Sequence, residues 1–158
     1  IKFFFDASLY IYTFSTDHNV VYNLSFIDSD FLFEGTIGEN LIKNVFSLSI
    51  ENRTGFFAPK DDKVQKTITE IIKYFFENKE NCIVYICDSS DNRELARYRK
   101  FNSWFEKEKL NTKIEKLSNI IIIDEETSHY ATMLFHKENS FYEILKLSYK
   151  EVIESLKK

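Results

Sequence analysis

Glycine and proline are scarce in this chain, with three glycines and one proline in 158 residues. That shortage argues against long linkers, internal repeats and a glycine-rich phosphate loop. Cysteine is limited to Cys82 and Cys87, both in one apolar run. Five residues apart on a strand, they would point to opposite faces roughly 16 Å apart, too far to bridge. The expectation is two buried thiols in a reducing compartment. Positive charge is not in excess: the net charge is −4 and the pI about 5.5. An acidic chain gains nothing from counterion release, so general nucleic-acid binding is disfavoured. No apolar run reaches membrane-spanning length, and "IKFFFDAS" is too short for a signal-peptide core. The expected setting is cytoplasmic, without a membrane partner. The sequons at Asn23 and Asn52 read as chance matches in that setting. Metal-ligand spacing is also missing: His18 and His136 each stand apart from a ligand pattern, and no metal is expected.

What the chain has is aromatic residues, 16% of the total and mostly phenylalanine. The length fits one domain, residues 1–158, with a core that needs no metal or disulfide. "LYIYTFSTDHNVVYNLSFI" alternates twice around a polar turn. This predicts a hairpin with Tyr10, Tyr12 and Phe14 on one face, and Tyr22, Leu24 and Phe26 on one face of the return strand. "FLFEG" reads as a third short strand and "NVFSLSI" as a fourth. The period then changes: Val64, Ile68, Ile71, Ile72, Phe75 and Phe76 recur at helical spacing, begun by Pro59 and two aspartates and closed by Asn81. "CIVYIC" is apolar throughout and predicts a central strand buried on both faces. A helix to about Leu110 follows, then the apolar strand "NIIIIDEE", the strand "HYATMLFHKEN" and a C-terminal helix. On that last helix Phe141, Ile144, Leu145, Ser148, Val152 and Leu156 share one side. The fold class is α+β with a mixed, largely antiparallel sheet in the order β-β-β-β-α-β-α-β-β-α.

Two motifs carry chemistry. The chain has four arginines, three of them in "DSSDNRELARYRKF" at Arg93, Arg97 and Arg99. Arg93, Arg97, Lys100 and Trp104 fall on one helical stripe behind Ser89 and Ser90. Arginine's fork suits a bidentate carboxylate or phosphate near a helix start, and an indole can cover it. The alternative reading is structural: Asp91 caps the helix with Glu94 completing a capping box, and the stripe is a solvated face. "DEETSHY", from Asp124 to Tyr130, reads as a solvated hairpin loop, with a general-base or metal reading beside it. The aromatic excess likewise reads as sheet core, including Phe31 and Phe33, or in part as a partner-binding surface.

The element order, with "DNRELARYRKF" after the buried strand, resembles the GNAT-type acyl-CoA N-acyltransferase fold over roughly residues 10 to 136. Asn92, Ala96 and Tyr98 carry the motif part of that resemblance. It implies an acyl-CoA-dependent N-acyltransferase-like enzyme with acetyl-CoA as cofactor. The glycine-rich pyrophosphate loop of that fold is replaced here by "KDDKVQKTI", whose Asp61 and Asp62 would repel a pyrophosphate. "YTF", "PKD" before a helix, and "YICDSSD…R…F..WF" are similar to a Bacteroidota family catalogued as domain of unknown function 6169, from which no residue inherits a role. The expected function is a non-catalytic binding or interaction module on a GNAT-like scaffold. It would use no cofactor and would recognise a small anionic ligand or a protein partner through Ser89, Ser90, Arg93, Arg97, Lys100 and Trp104.

Overall fold

The alternation in the first aromatic stretch folds as read. In the computed structural model β2 (Ile11–Ser15) and β3 (Val21–Asp28) pair antiparallel, with Tyr12 opposite Leu24 and Phe14 opposite Tyr22. Tyr12, Phe14, Leu24 and Phe26 are buried on one face. The turn between the strands closes through Thr16, whose Oγ1 accepts from Val20 N at 3.2 Å. The structure describes residues 2–55, 59–87 and 94–157, apart from the side chains at 87, 94, 95 and 97.

One strand comes earlier than expected. β1 (Phe3–Asp6) pairs antiparallel with β2, and Phe5 stacks on Tyr12 at 4.4 Å between ring centroids. One expected strand is not a strand. "FLFEG" begins instead as a 3-10 turn at Asp30–Phe33. Asp28 Oδ1 accepts from Asp30 N at 3.0 Å, and Asp30 Oδ1 accepts from Val45 N at 2.9 Å. These short polar side chains offer the backbone a turn in place of a ladder. A strand would point Phe31 and Phe33 the same way, whereas Phe33 is buried and Phe31 is 63% exposed. The element string is therefore as expected, with different members in two places.

β4 (Val45–Asn52), α1 (Asp62–Phe75), β5 (Cys82–Cys87), α2 (Glu94–Lys107), β6 (Ile114–Ile122), β7 (Ser128–His136) and α3 (Tyr142–Leu156) complete the chain. Among the described residues seven strands form one sheet in the order β1-β2-β3-β4-β5-β7-β6. Every pairing is antiparallel except β4 with β5. α1 ends earlier than expected, at Phe75 with Phe76 as its C-cap, and Asn81 reaches back to it, its Nδ2 donating to Phe75 O at 2.9 Å.

The sheet is covered on both faces, because successive side chains of a strand alternate sides. On one face Ile83 and Leu134 join α1's Ile68, Ile71, Ile72 and Phe75 and α2's Phe105. On the other, Cys82, Val84, Met133 and Phe135 meet Leu145, Tyr149 and Ile153 of α3. β5 is thus interior in both senses, between two strands and between two layers. α3 turns its buried side through Leu145, Ser148, Tyr149 and Ile153, with Leu156 exposed at its end. The isoleucine run "NIIIIDEE" does not form a buried strand of its own. β6 starts at Ile114 and is an edge strand, so Ile121 is buried while Ile120, Ile122 and Ile123 face solvent.

Candidate functional site

The parallel pair has an unusual ladder. Val45 registers with Cys82 and Phe46 with Ile83, and there the β4–β5 register stops. Each strand stays paired on its other side. β4 follows β3 out to Asn52 opposite Tyr22, and β5 follows β7 out to Cys87 opposite Tyr130. Among the described residues, the β4–β5 register is not continued by 47–51 of β4 or by 84, 86 and 87 of β5. The ladder ends on the side of the carboxyl ends of two parallel strands, which is where open sheets hold ligands.

One face of this seam is aromatic and aliphatic. Phe46, Leu48, Tyr85 and Phe101 are half-buried against the first core, and Tyr85 meets Phe101 edge-on at 5.0 Å. The other side is more polar: Ser47 Oγ lies 2.7 Å from Ser29 Oγ, and Ser49 is exposed. Strand edges supply backbone donors and acceptors, so such a seam suits an extended polar group better than a compact apolar one.

The start of α1 is closed by its own acids. Asp61 Oδ1 accepts from Lys63 N at 2.9 Å. The Lys63 ammonium in turn pairs with the Asp17 carboxylate of the hairpin turn. That hydrogen-bonded pair lowers the Asp17 pKa and raises the Lys63 pKa. An incoming anion at this helix start would meet carboxylates where a phosphate loop offers free N–H groups.

Of the residues proposed for the anion stripe, Ser89, Ser90 and Arg93 lie outside the described residues, as does the Asp91 cap. Arg97 is on α2, with its side chain outside the description. The described part is Lys100 and Trp104, whose ammonium lies 5.1 Å from the indole centroid. Trp104 also packs against the first core, so it is anchored rather than a loose cover.

Beneath α2 the sheet is rich in polar groups that the sequence reading missed. Lys116 Nζ donates to Asn102 Oδ1 at 2.9 Å and lies 4.8 Å from the Phe105 ring centroid. Ser118 and Thr132 hydroxyls are 3.2 Å apart, and Tyr98 meets Tyr130 at 4.8 Å. No spacing rule signals this group, because its members come from three elements joined only by the fold.

The remaining candidates behave as structural residues. Cys82 is fully buried, and burial pushes its thiol well up, which disfavours the nucleophilic thiolate. "DEETSHY" is the β6–β7 turn followed by the start of β7 at Ser128. Asp124 Oδ1 accepts from Glu126 N at 2.9 Å and Thr127 N at 2.8 Å, and these contacts lower its pKa. His136 is buried, with Nδ1 accepting from Glu138 N at 2.9 Å. Among the described residues no three His, Cys, Asp or Glu side chains converge as a metal site. No described helix is long and apolar enough to cross a membrane.

A search of curated proteins gives no significant match. The family of unknown function DUF6169 matches residues 60–151, from just before α1 into α3. The match covers more than half of the chain, and the protein belongs to that family of unknown function.

Proposed function

We propose that this protein is a non-catalytic binding module whose ligand enters the seam between β4 and β5. The observation that carries the reading is the parallel ladder that ends at Phe46–Ile83 while both strands continue. The ligand carries an anionic group, on a small molecule or on a protein partner. Ser89, Ser90, Arg93, Arg97, Lys100 and Trp104 are the residues assigned to that group. Support comes from chain order: β5 ends at Cys87 on the side where the ladder has stopped, and Ser89, Ser90 and Arg93 fall between it and α2 in the sequence. No cofactor is part of this reading. A cytoplasmic setting goes with it, supported by the unbridged, buried Cys82 thiol.

A second reading is an acyl-CoA-dependent N-acyltransferase-like enzyme using acetyl-CoA. It is favoured by the element order and by the diverging parallel pair, which together keep the GNAT-like resemblance. The closed start of α1 weighs against it, since Asp61 occupies a donor that a pyrophosphate would need.

Amide NMR titration separates the two. A glutamate-rich peptide and inorganic pyrophosphate are the anionic probes, and acetyl-CoA is the third. The binding reading expects an anionic probe to shift amides in 47–52 and 84–87, and Arg93→Ala with Arg97→Ala to abolish the shift while the fold is retained. Acetyl-CoA is expected to leave the thermal midpoint unchanged. A coenzyme at a hundred times its Kd would stabilise by about 2.7 kcal/mol. A shift of that size, with the seam amides responding, would overturn the binding-module reading in favour of the transferase.

A further inference from the structure

β6 is paired with β7 along its whole length on one side. On its other side no strand registers among the described residues, because β6 is the last strand of the sheet. Native edge strands are commonly blunted by charge, proline, a bulge or short length. The second half of β6 has none of the first two. Ile120, Ile122 and the following Ile123 are 54%, 73% and 50% exposed.

The two ends of this edge differ in charge. Between the first half of β6 and α3 lies a groove of about 700 Å³, lined by Lys116, Lys146, Lys150 and Lys157. Glu143 and Glu154 also line it, and Glu154 pairs with Lys157 at 3.6 Å. The turn that follows β6 is acidic, with Asp124, Glu125 and Glu126 all exposed. Asp124 Oδ1 holds that turn in place through the N–H groups of residues 126 and 127.

We infer that the partner of this edge is a second copy of the chain, adding its own β6 antiparallel about a two-fold axis at Ile121. A two-fold axis perpendicular to the sheet sets residues of the same face opposite one another, so paired residue numbers must sum to an even value. With Ile121 opposite its own copy, Ile120 lies opposite Ile122 of the second copy. In that register the second copy's acidic turn, which follows its Ile122, lies alongside the first half of this β6, toward the mouth of the lysine groove. A slip of two residues toward the C-terminus would draw the acids away from the groove. One register therefore covers the exposed isoleucines, completes an open ladder edge and brings the acidic turn of each copy toward the groove lysines of the other. The result is a single sheet running through both protomers.

Sedimentation equilibrium on the chain, from micromolar to about a hundred micromolar, tests this. The expected result is a dimer that weakens as salt rises. Ile122→Lys, at the most exposed position, should give a folded monomer by circular dichroism and sedimentation. Glu125→Lys with Glu126→Lys alters only the exposed turn and should weaken dimerisation roughly 100-fold, since each change acts twice across the two-fold. Adding Lys146→Glu and Lys150→Glu to that variant should restore most of the loss. Should Ile122→Lys fail to fold, the charge exchange decides. A monomer at the highest concentration, a dimer indifferent to both sets of changes, or a charge exchange without rescue would each overturn the inference.

Discussion

Replacing Asp61 by alanine tests whether the start of α1 is held by its own carboxylate. Asp61 has extended backbone angles and accepts from Lys63 N at 2.9 Å, so it is the N-cap of a helix that lies against the first core. Loss of a cap of this kind costs about 0.5–2 kcal/mol, typically near 1. Asparagine keeps the acceptor oxygen and removes only the charge next to the helix dipole, a loss of about 0.3–1 kcal/mol. Asp61→Ala should therefore be the more destabilising of the two. The assay is urea unfolding followed by circular dichroism at constant slope. With slopes of about 1–3 kcal/mol/M, a loss near 1 kcal/mol moves the midpoint by roughly 0.5 M. The corresponding thermal shift is about 2–4 °C for a chain of this length. If alanine is as stable as wild type, the carboxylate does not hold the helix start, and the argument against a phosphate at α1 loses its basis. Equal losses for alanine and asparagine would refute the hydrogen-bond account and leave only charge.

Two further predictions concern packing and pH. An alanine Cβ at Gly38 would lie inside the contact distance of Ile42 Cδ1 and 2.5 Å from Ser148 Oγ, so Gly38→Ala should cost roughly 1–3 kcal/mol. Ser148 is fully buried and its hydroxyl has no hydrogen-bond partner among the described residues, so Ser148→Ala should be neutral or stabilising. A double-mutant cycle by urea unfolding should show the two changes coupled favourably, whereas strict additivity would contradict the contact. Burial lowers the His136 pKa below 6.5, against the opposing pull of Glu138. A depressed histidine contributes stability that is present above the unfolded value and lost as pH falls below it. The urea midpoint should fall between pH 7.5 and 5.5, and fall less in His136→Gln; equal slopes would contradict the assignment.

Local pattern made much of the fold legible before any coordinates. Period-two alternation placed Tyr12, Phe14, Leu24 and Phe26 on one side of a hairpin, and helical spacing placed Ile68, Ile71, Ile72 and Phe75 inward on α1. "CIVYIC" read as a strand buried on both faces, and Cys82, Ile83 and Val84 do face two cores, whereas Ile86 is 39% exposed. An apolar run does not say whether its strand is central or at an edge, so the isoleucines of β6 read like those of β5. Phe31 and Phe33 misled for a related reason: alternate aromatics mimic a strand, while Asp28 and Asp30 turn the chain there. The β4–β5 seam was not legible at all, since register is a relation between distant segments and leaves no mark on either one. The arginine stripe was legible as composition, and only Lys100 and Trp104 of it have described side chains.

The most direct measurement of the central claim is a cross-strand NOE map of β4 against β5 in the unliganded chain. The account predicts contacts linking Val45 with Cys82 and Phe46 with Ile83, and none linking residues 48–50 with 85–87. A continuous set of backbone contacts out to the ends of both strands would mean that the seam is closed, and would contradict the proposed binding site.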